Sequence, residues 1–197
     1  MITGYDFPSE QRDDLRELLL RKSVRTGRFT LASGKESDLY IDCRMTTLDP
    51  RGAWLVSQVG WNTLGGYLHD ERIKADCIGG MTMGADPISL VLAMASAQDR
   101  HSSTLQAFTV RKEPKGHGRG KRIEGNFKEG DTVVVVDDVI TTGGSTIRAI
   151  DAIEEEGGKV ALAFVLVDRE EGGCEAIEAR GVPVLPLFTR TTLLSES

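Results

Sequence analysis

From Ala75 onward the chain alternates short apolar runs with stretches of helical periodicity, and this alternation constrains its fold more than any other feature. Ala75–Ile78, Leu105–Val110, Val133–Val136, Val160–Val167 and Val182–Leu187 read as strands, with helices over 87–98, 145–156 and 173–180. A strand followed by a helix and another strand needs a crossover connection, which is how parallel strands are joined. Val133–Val136 and Val160–Val167 are apolar at successive positions, so both of their faces are expected to be buried. The expectation is an α/β fold: a central, mostly parallel sheet flanked by helices, in a single domain over residues 1–197.

The segment before this alternation reads differently. Ser9 is a plausible N-cap for a short helix carrying Leu15, Leu18 and Leu19 and ending on Arg21-Lys22. Residues 28–42 read as two strands around a Ser33-Gly34 turn, so residues 1–45 form a small N-terminal hood. A helix over about 51–69 would turn Trp54, Leu55, Val59, Leu64 and Leu68 inward, with a break near Gly65-Gly66. Asp86 suits the N-cap of the helix that follows, with Pro87 at its first helical position.

The most informative stretch is Val133–Ser145, VVVVDDVITTGGS. In open parallel sheets ligands bind beyond the carboxyl ends of strands, where Asp137 and Asp138 are expected. Thr141, Thr142, Gly143, Gly144 and Ser145 then lead into a helix. Close backbone approach, hydroxyl donors and the positive end of the helix dipole together suit a phosphate monoester. The glycines are not followed by the lysine of a Walker loop and do not form a dinucleotide fingerprint. Two carboxylates accept hydrogen bonds, and sugar hydroxyl pairs donate them. A ribose 5-phosphate fits both halves.

A second stretch, residues 111–126, breaks the rhythm, being polar, glycine-rich and without periodicity. Between Arg111 and Arg122 stand six basic residues and one acid, a local charge of about +5 on a chain of net charge −6. Gly116, Gly118, Gly120 and Gly125 suit a mobile segment that folds over a highly anionic ligand. The acidic balance speaks against nucleic acid or an anionic membrane as a partner. Three scattered cysteines, a polar N-terminal stretch and the lack of a long apolar run point to a reducing, cytoplasmic setting.

These residues resemble a known family. VVVVDDVITTGGS is similar to the phosphoribosyl-pyrophosphate (PRPP) motif of type I phosphoribosyltransferases, which by itself identifies no base. RKEPKGHG at 111–118 with IEG at 123–125 resembles the catalytic loop of orotate phosphoribosyltransferases. GRFTLASGKESDLYID and LVDREEGG resemble that family's orotate-side segment and its arginine-bearing strand end. The matches keep the family's order from about residue 15 to 181.

The resemblance implies the type I phosphoribosyltransferase fold and transfer of a 5-phosphoribosyl group from PRPP to orotate. The expected products are orotidine 5′-monophosphate and pyrophosphate, within pyrimidine (UMP) biosynthesis. It implies Mg2+ held mainly by PRPP oxygens, with no direct protein ligand, and a homodimer whose catalytic loop, 111–126, is shared across the interface. By resemblance Lys115, His117, Asp137 and Asp138 are catalytic. The PRPP contacts are these four with Arg111, Lys112, Val139, Ile140, Thr141, Thr142, Gly143, Gly144 and Ser145. Thr141, Arg169 and Tyr40 face orotate. Met83 and Ala32 stand where many members carry lysine, and Ile41 where an aromatic is common. Backbone amides of Gly80–Gly84, with Lys35 or Arg44, are the available replacements for the lost charge. Two other readings stay open on the sequence: transfer to another base, and a PRPP-sensing regulator without catalysis.

Overall fold

A computed structural model describes residues 9–30, 36–100, 102–113 and 122–195. Six strands form the central sheet in the order β5-β4-β3-β6-β7-β8. They are β3 (Cys77–Met81), β4 (Gln106–Val110), β5 (Ile123–Gly125), β6 (Thr132–Ile140), β7 (Lys159–Asp168) and β8 (Val184–Thr189). All neighbours are parallel except β4 and β5, which pair antiparallel at one edge. The expected sheet is therefore present. Residues 123–125, read as part of an irregular loop, are its edge strand.

Period-two alternation on the two central strands divides the core. Val134 and Val136 of β6 and Leu162, Phe164 and Leu166 of β7 pack into one apolar cluster. Val133 and Val135 with Ala163 and Val165 pack into the other. The first is covered by α1 (Ser9–Lys22), α3 (Pro50–Leu55), α4 (Trp61–Asp70) and α5 (Ala85–Gln98); the second by α6 (Gly144–Glu155) and α7 (Gly173–Glu178). Each fully buried branched or aromatic side chain contributes about 1.5–3 kcal/mol. α8 (Arg190–Leu194) closes the chain beside β8, and no helix among the described residues is long and apolar enough to cross a membrane.

The hood is an antiparallel pair, β1 (Val24–Thr30) and β2 (Glu36–Ile41); the expected Ser33-Gly34 turn lies outside the described residues. A backbone bond from Asp42 N–H to Ser23 O joins its two ends, and α2 (Arg44–Thr47) follows. The single helix expected over 51–69 is α3, a π-helical turn at Val56–Gly60, and α4. The irregularity thus falls before Gly65-Gly66. Trp54 lies off the buried stripe that carries Leu55, Val56 and Val59, and points outward, with the Arg51 guanidinium 4.6 Å from its ring centroid. α5 begins at Ala85, so Asp86 lies in its first turn and not at the cap.

Candidate active site

β6 outruns its neighbour. It pairs with β3 only as far as Gly80 opposite Val136, yet with β7 as far as Ile140 opposite Asp168. Asp137 and Asp138 therefore lie within the strand, not beyond its end, because the β-branched Val139 and Ile140 continue the ladder. Ile140 is buried in the second core cluster and Val139 packs against the first. Both side chains serve the core, and any contact they make with a ligand is through backbone.

Successive side chains on a strand face opposite ways, and the two acids divide accordingly. Asp137, only 5% exposed, faces α6. One of its oxygens accepts hydrogen bonds from Ser145 Oγ (2.8 Å) and Thr146 Oγ1 (2.6 Å), and the other from the Asp138 amide at 3.0 Å. Burial pushes its pKa upward, opposed by these donors. Asp138 faces the opposite side, against the turn before α5. A Cβ placed on Gly84 would lie 2.2 Å from Asp138 Oδ1, so only glycine lets the carboxylate sit there. Burial first, and the neighbouring Asp137 charge second, push Asp138 up to about 7.

Residues 141–143 form the turn from β6 into α6. Gly143 caps the helix at φ 77°, a left-handed conformation costly for other residues. Ser145 points its hydroxyl to Asp137, fastening the helix start to the strand. The turn rests on Gly173: a Cβ there would meet Ile140 Cγ2 at 2.3 Å and Thr141 O at 2.5 Å. The second glycine of LVDREEGG thus supports the loop, a role its sequence does not announce. Thr142 is exposed, Thr141, Gly144 and Ser145 are half-buried, and the amides of the first α6 turn face the anion-binding end of the helix dipole.

The hood brings a third component. Arg44 grips Asp42 in a bidentate pair, Nε to Oδ1 and Nη2 to Oδ2, both 2.8 Å. This pairing lowers the Asp42 pKa and raises that of Arg44, to which the Asp138 charge adds. Cys43 between them is fully buried, and its thiol pKa is raised by burial and then by Asp138. Asp42, Cys43 and Arg44 are therefore neighbours of β6, although about 95 residues separate them in sequence. In the turn before α5, Thr82 and Thr109 hydroxyls both donate to Asp86, tying the turn to β4. The Thr82 amide is committed to Val110 O, which removes one of the amides proposed to replace the lost lysine, and Met83 is exposed.

The basic loop rises from a hairpin stem. Val110 pairs with Ile123, and the Arg111 amide donates to Arg122 O. Arg111 meets Glu124 at 3.5 Å, Lys112 is exposed, and Arg122 is half-buried. Glu156 accepts the amides of Arg122 and Ile123, fixing the stem to the α6 end. Lys115, His117, Ala32 and Lys35 lie outside the described residues. Tyr40 is exposed on the hood, its ring 5.7 Å from that of Phe29. Arg169 is only 4% exposed and pairs with Glu171 at 2.7 Å. Its backbone amide donates to Ile140 O, setting it beside the end of β6. Among the described residues no three His, Cys, Asp or Glu side chains cluster as a metal site.

Known proteins match this arrangement. The phosphoribosyl transferase domain family model matches residues 89–179. An Aquifex aeolicus protein named orotate phosphoribosyltransferase is 40% identical over 187 residues, covering 93% of this chain and 98% of its own. The Mycobacterium tuberculosis orotate phosphoribosyltransferase, solved with Fe(III) dicitrate, superposes with a TM-score of 0.77 at 36% identity. The match covers 94% of this chain and 99% of that one. The same enzyme solved with PRPP gives a TM-score of 0.73 at 33% identity, over 93% and 98% of the two chains. With near-complete coverage at these identities, and with the fold and the loop-bearing strand in common, the chain belongs to the orotate phosphoribosyltransferase family.

Proposed function

We infer that the protein transfers the 5-phosphoribosyl group of PRPP to orotate, giving orotidine 5′-monophosphate and pyrophosphate. The observation that carries this reading is the division of labour on β6. Asp137 holds the 141–145 loop and the start of α6 in the shape of a phosphate cradle, leaving Asp138 to meet the sugar. Loop amides and the Thr141, Thr142 and Ser145 hydroxyls bind the 5-phosphate at the helix N-terminus. Asp138 accepts ribose hydroxyls, and its negative charge favours the positive charge that gathers on the ribose ring as pyrophosphate leaves.

Arg44 is the cation best situated to replace the one absent at Met83. It is exposed, held in one orientation by Asp42, and within electrostatic reach of Asp138. Lys115 and His117, with Arg111 and Lys112 at the loop's root, neutralise the departing pyrophosphate and shield the ring from water. Asp138 is a hard carboxylate of the kind Mg2+ favours, and a dication held on PRPP beside it would favour its charged form. When bound on PRPP, Mg2+ supplies charge neutralisation at the pyrophosphate. Arg169, shared with Glu171, and Tyr40 orient the anionic pyrimidine, whose attacking nitrogen needs no general base.

The reading includes a homodimer and a cytoplasmic location. α5 buries one face in the core, yet it also exposes Leu90 and Met94, each 56% accessible. The two stand four residues apart, on one side of the helix, and such an exposed apolar pair suits a second copy of the chain.

The deciding assay mixes the full chain with PRPP and Mg2+ and follows loss of orotate, then of uracil, hypoxanthine and adenine in parallel. Consumption of orotate alone is expected. Failure to consume it, or faster turnover of another base, would sink the reading.

A further inference from the structure

At the opposite end of the sheet lies a cavity of about 320 Å³ that the transfer reaction does not use. Its lining comes from α4, the turn after it, and the connection from α5 to β4. Ala75 and Leu105 mark the amino ends of β3 and β4. The five residues of β3 therefore separate it from the active-site turn by roughly 17 Å. Its volume is at the lower bound of known ligand sites, which begin at about 300 Å³.

The lining has two chemistries. Trp61, Leu68, Ile73 and Leu105 give an apolar wall. Gly65 also lines it, and a Cβ there would lie 3.2 Å from the ring of Trp61, a residue 7% exposed, so glycine leaves space against the indole. His69, Arg72 and Lys74 stand around the mouth, all exposed. Among the described residues no carboxylate is paired with any of the three. Two carboxylates on neighbouring elements are engaged elsewhere: Asp99 accepts the Trp61 indole N–H at 3.2 Å and the Ser102 hydroxyl at 2.8 Å, and Asp76 accepts the Thr132 amide at 2.9 Å.

Arg72 also occupies a backbone position that disfavours it. α4 ends in a Schellman motif, with the Ile73 amide bonded to Leu68 O and the Arg72 amide to His69 O. The residue at Arg72 takes φ 55°, where glycine is strongly preferred. Helix termination alone would be better served by glycine. An arginine there brings a rigidly based cation to the cavity mouth, at a cost to the fold, and strain of that kind is a marker of function.

We propose that this cavity binds a small anion carrying a flat apolar group, the chemistry of a nucleoside monophosphate. The phosphate is held by Arg72, Lys74 and His69, and the base lies against the Trp61–Leu105 wall. The site is separate from the transferase reading and stands or falls without it.

The chain has two tryptophans, so the full-length Trp54→Phe protein leaves Trp61 as the sole reporter. Its emission is followed while adenosine 5′-monophosphate, adenosine or inorganic phosphate is added, each with and without saturating PRPP. The nucleotide should change the emission saturably and equally in both conditions, and each fragment should bind at least about tenfold more weakly. Arg72→Gly, which suits the backbone, should keep or raise Tm while weakening the nucleotide about tenfold or more. The proposal is overturned by an emission that the nucleotide leaves unchanged, or by a response abolished by PRPP. It is equally overturned if free phosphate matches the nucleotide, or if Arg72→Gly binds as tightly as its parent.

Discussion

Asp138 is the residue at which structure, titration and chemistry meet. Its carboxyl, at about 7 in the folded chain, ionises near pH 4 when unfolded. Between about pH 4 and about pH 7 the folded chain therefore holds a proton that the unfolded chain has released. Stability then falls as pH rises through that window and levels off above it. Asp138→Asn removes this dependence. In urea titrations of the ligand-free protein, the variant should gain on its parent from pH 5 to pH 8, and a constant difference would refute the assignment. The same variant should lose about 10- to 100-fold in kcat/KM for PRPP, the worth of one charged hydrogen bond. Cys43 makes the opposite point: a thiol beside two carboxylates is fully buried and further suppressed by them, so its position is structural.

Among the elements, the turn between β6 and α6 is the most exacting. Gly143→Ala would meet both the left-handed φ and the Gly173 carbonyl, 2.8 Å from the new Cβ. Gly172 has a similar φ of 87° but open space around it. Gly143→Ala should cost about 1–3 kcal/mol and Gly172→Ala clearly less, measured as the shift in urea midpoint at constant m-value. Equal costs would mean that the contact with Gly173 is unimportant. This turn also marks how far sequence reaches. Alternating periods made the sheet and its helices legible, and the glycines and hydroxyls of 141–145 the turn into α6, because each is written in local sequence. The support from Gly173, the approach of Arg44 and the notch at Gly84 are contacts between distant segments, and local patterns do not encode them. The π-helical turn at Val56–Gly60 has no sequence mark either.

On the scale of the whole molecule, two cores share one sheet and leave one side of α5 apolar and uncovered. Leu90→Lys with Met94→Glu should keep the far-ultraviolet spectrum and reduce the mass in multi-angle light scattering to that of one chain. If the catalytic loop is shared between subunits, orotate turnover should fall with it; a mass unchanged by both substitutions would exclude this face as the contact. The sheet itself carries a further consequence. β6 delivers one acid to each of its two sides, so the Asp-Asp pair is governed by parity: Asp137 faces α6 and Asp138 the turn before α5. One extra valine among Val133–Val136 would preserve composition, hydropathy and the motif itself, yet it would exchange the two acids and leave each on the other's side of the sheet.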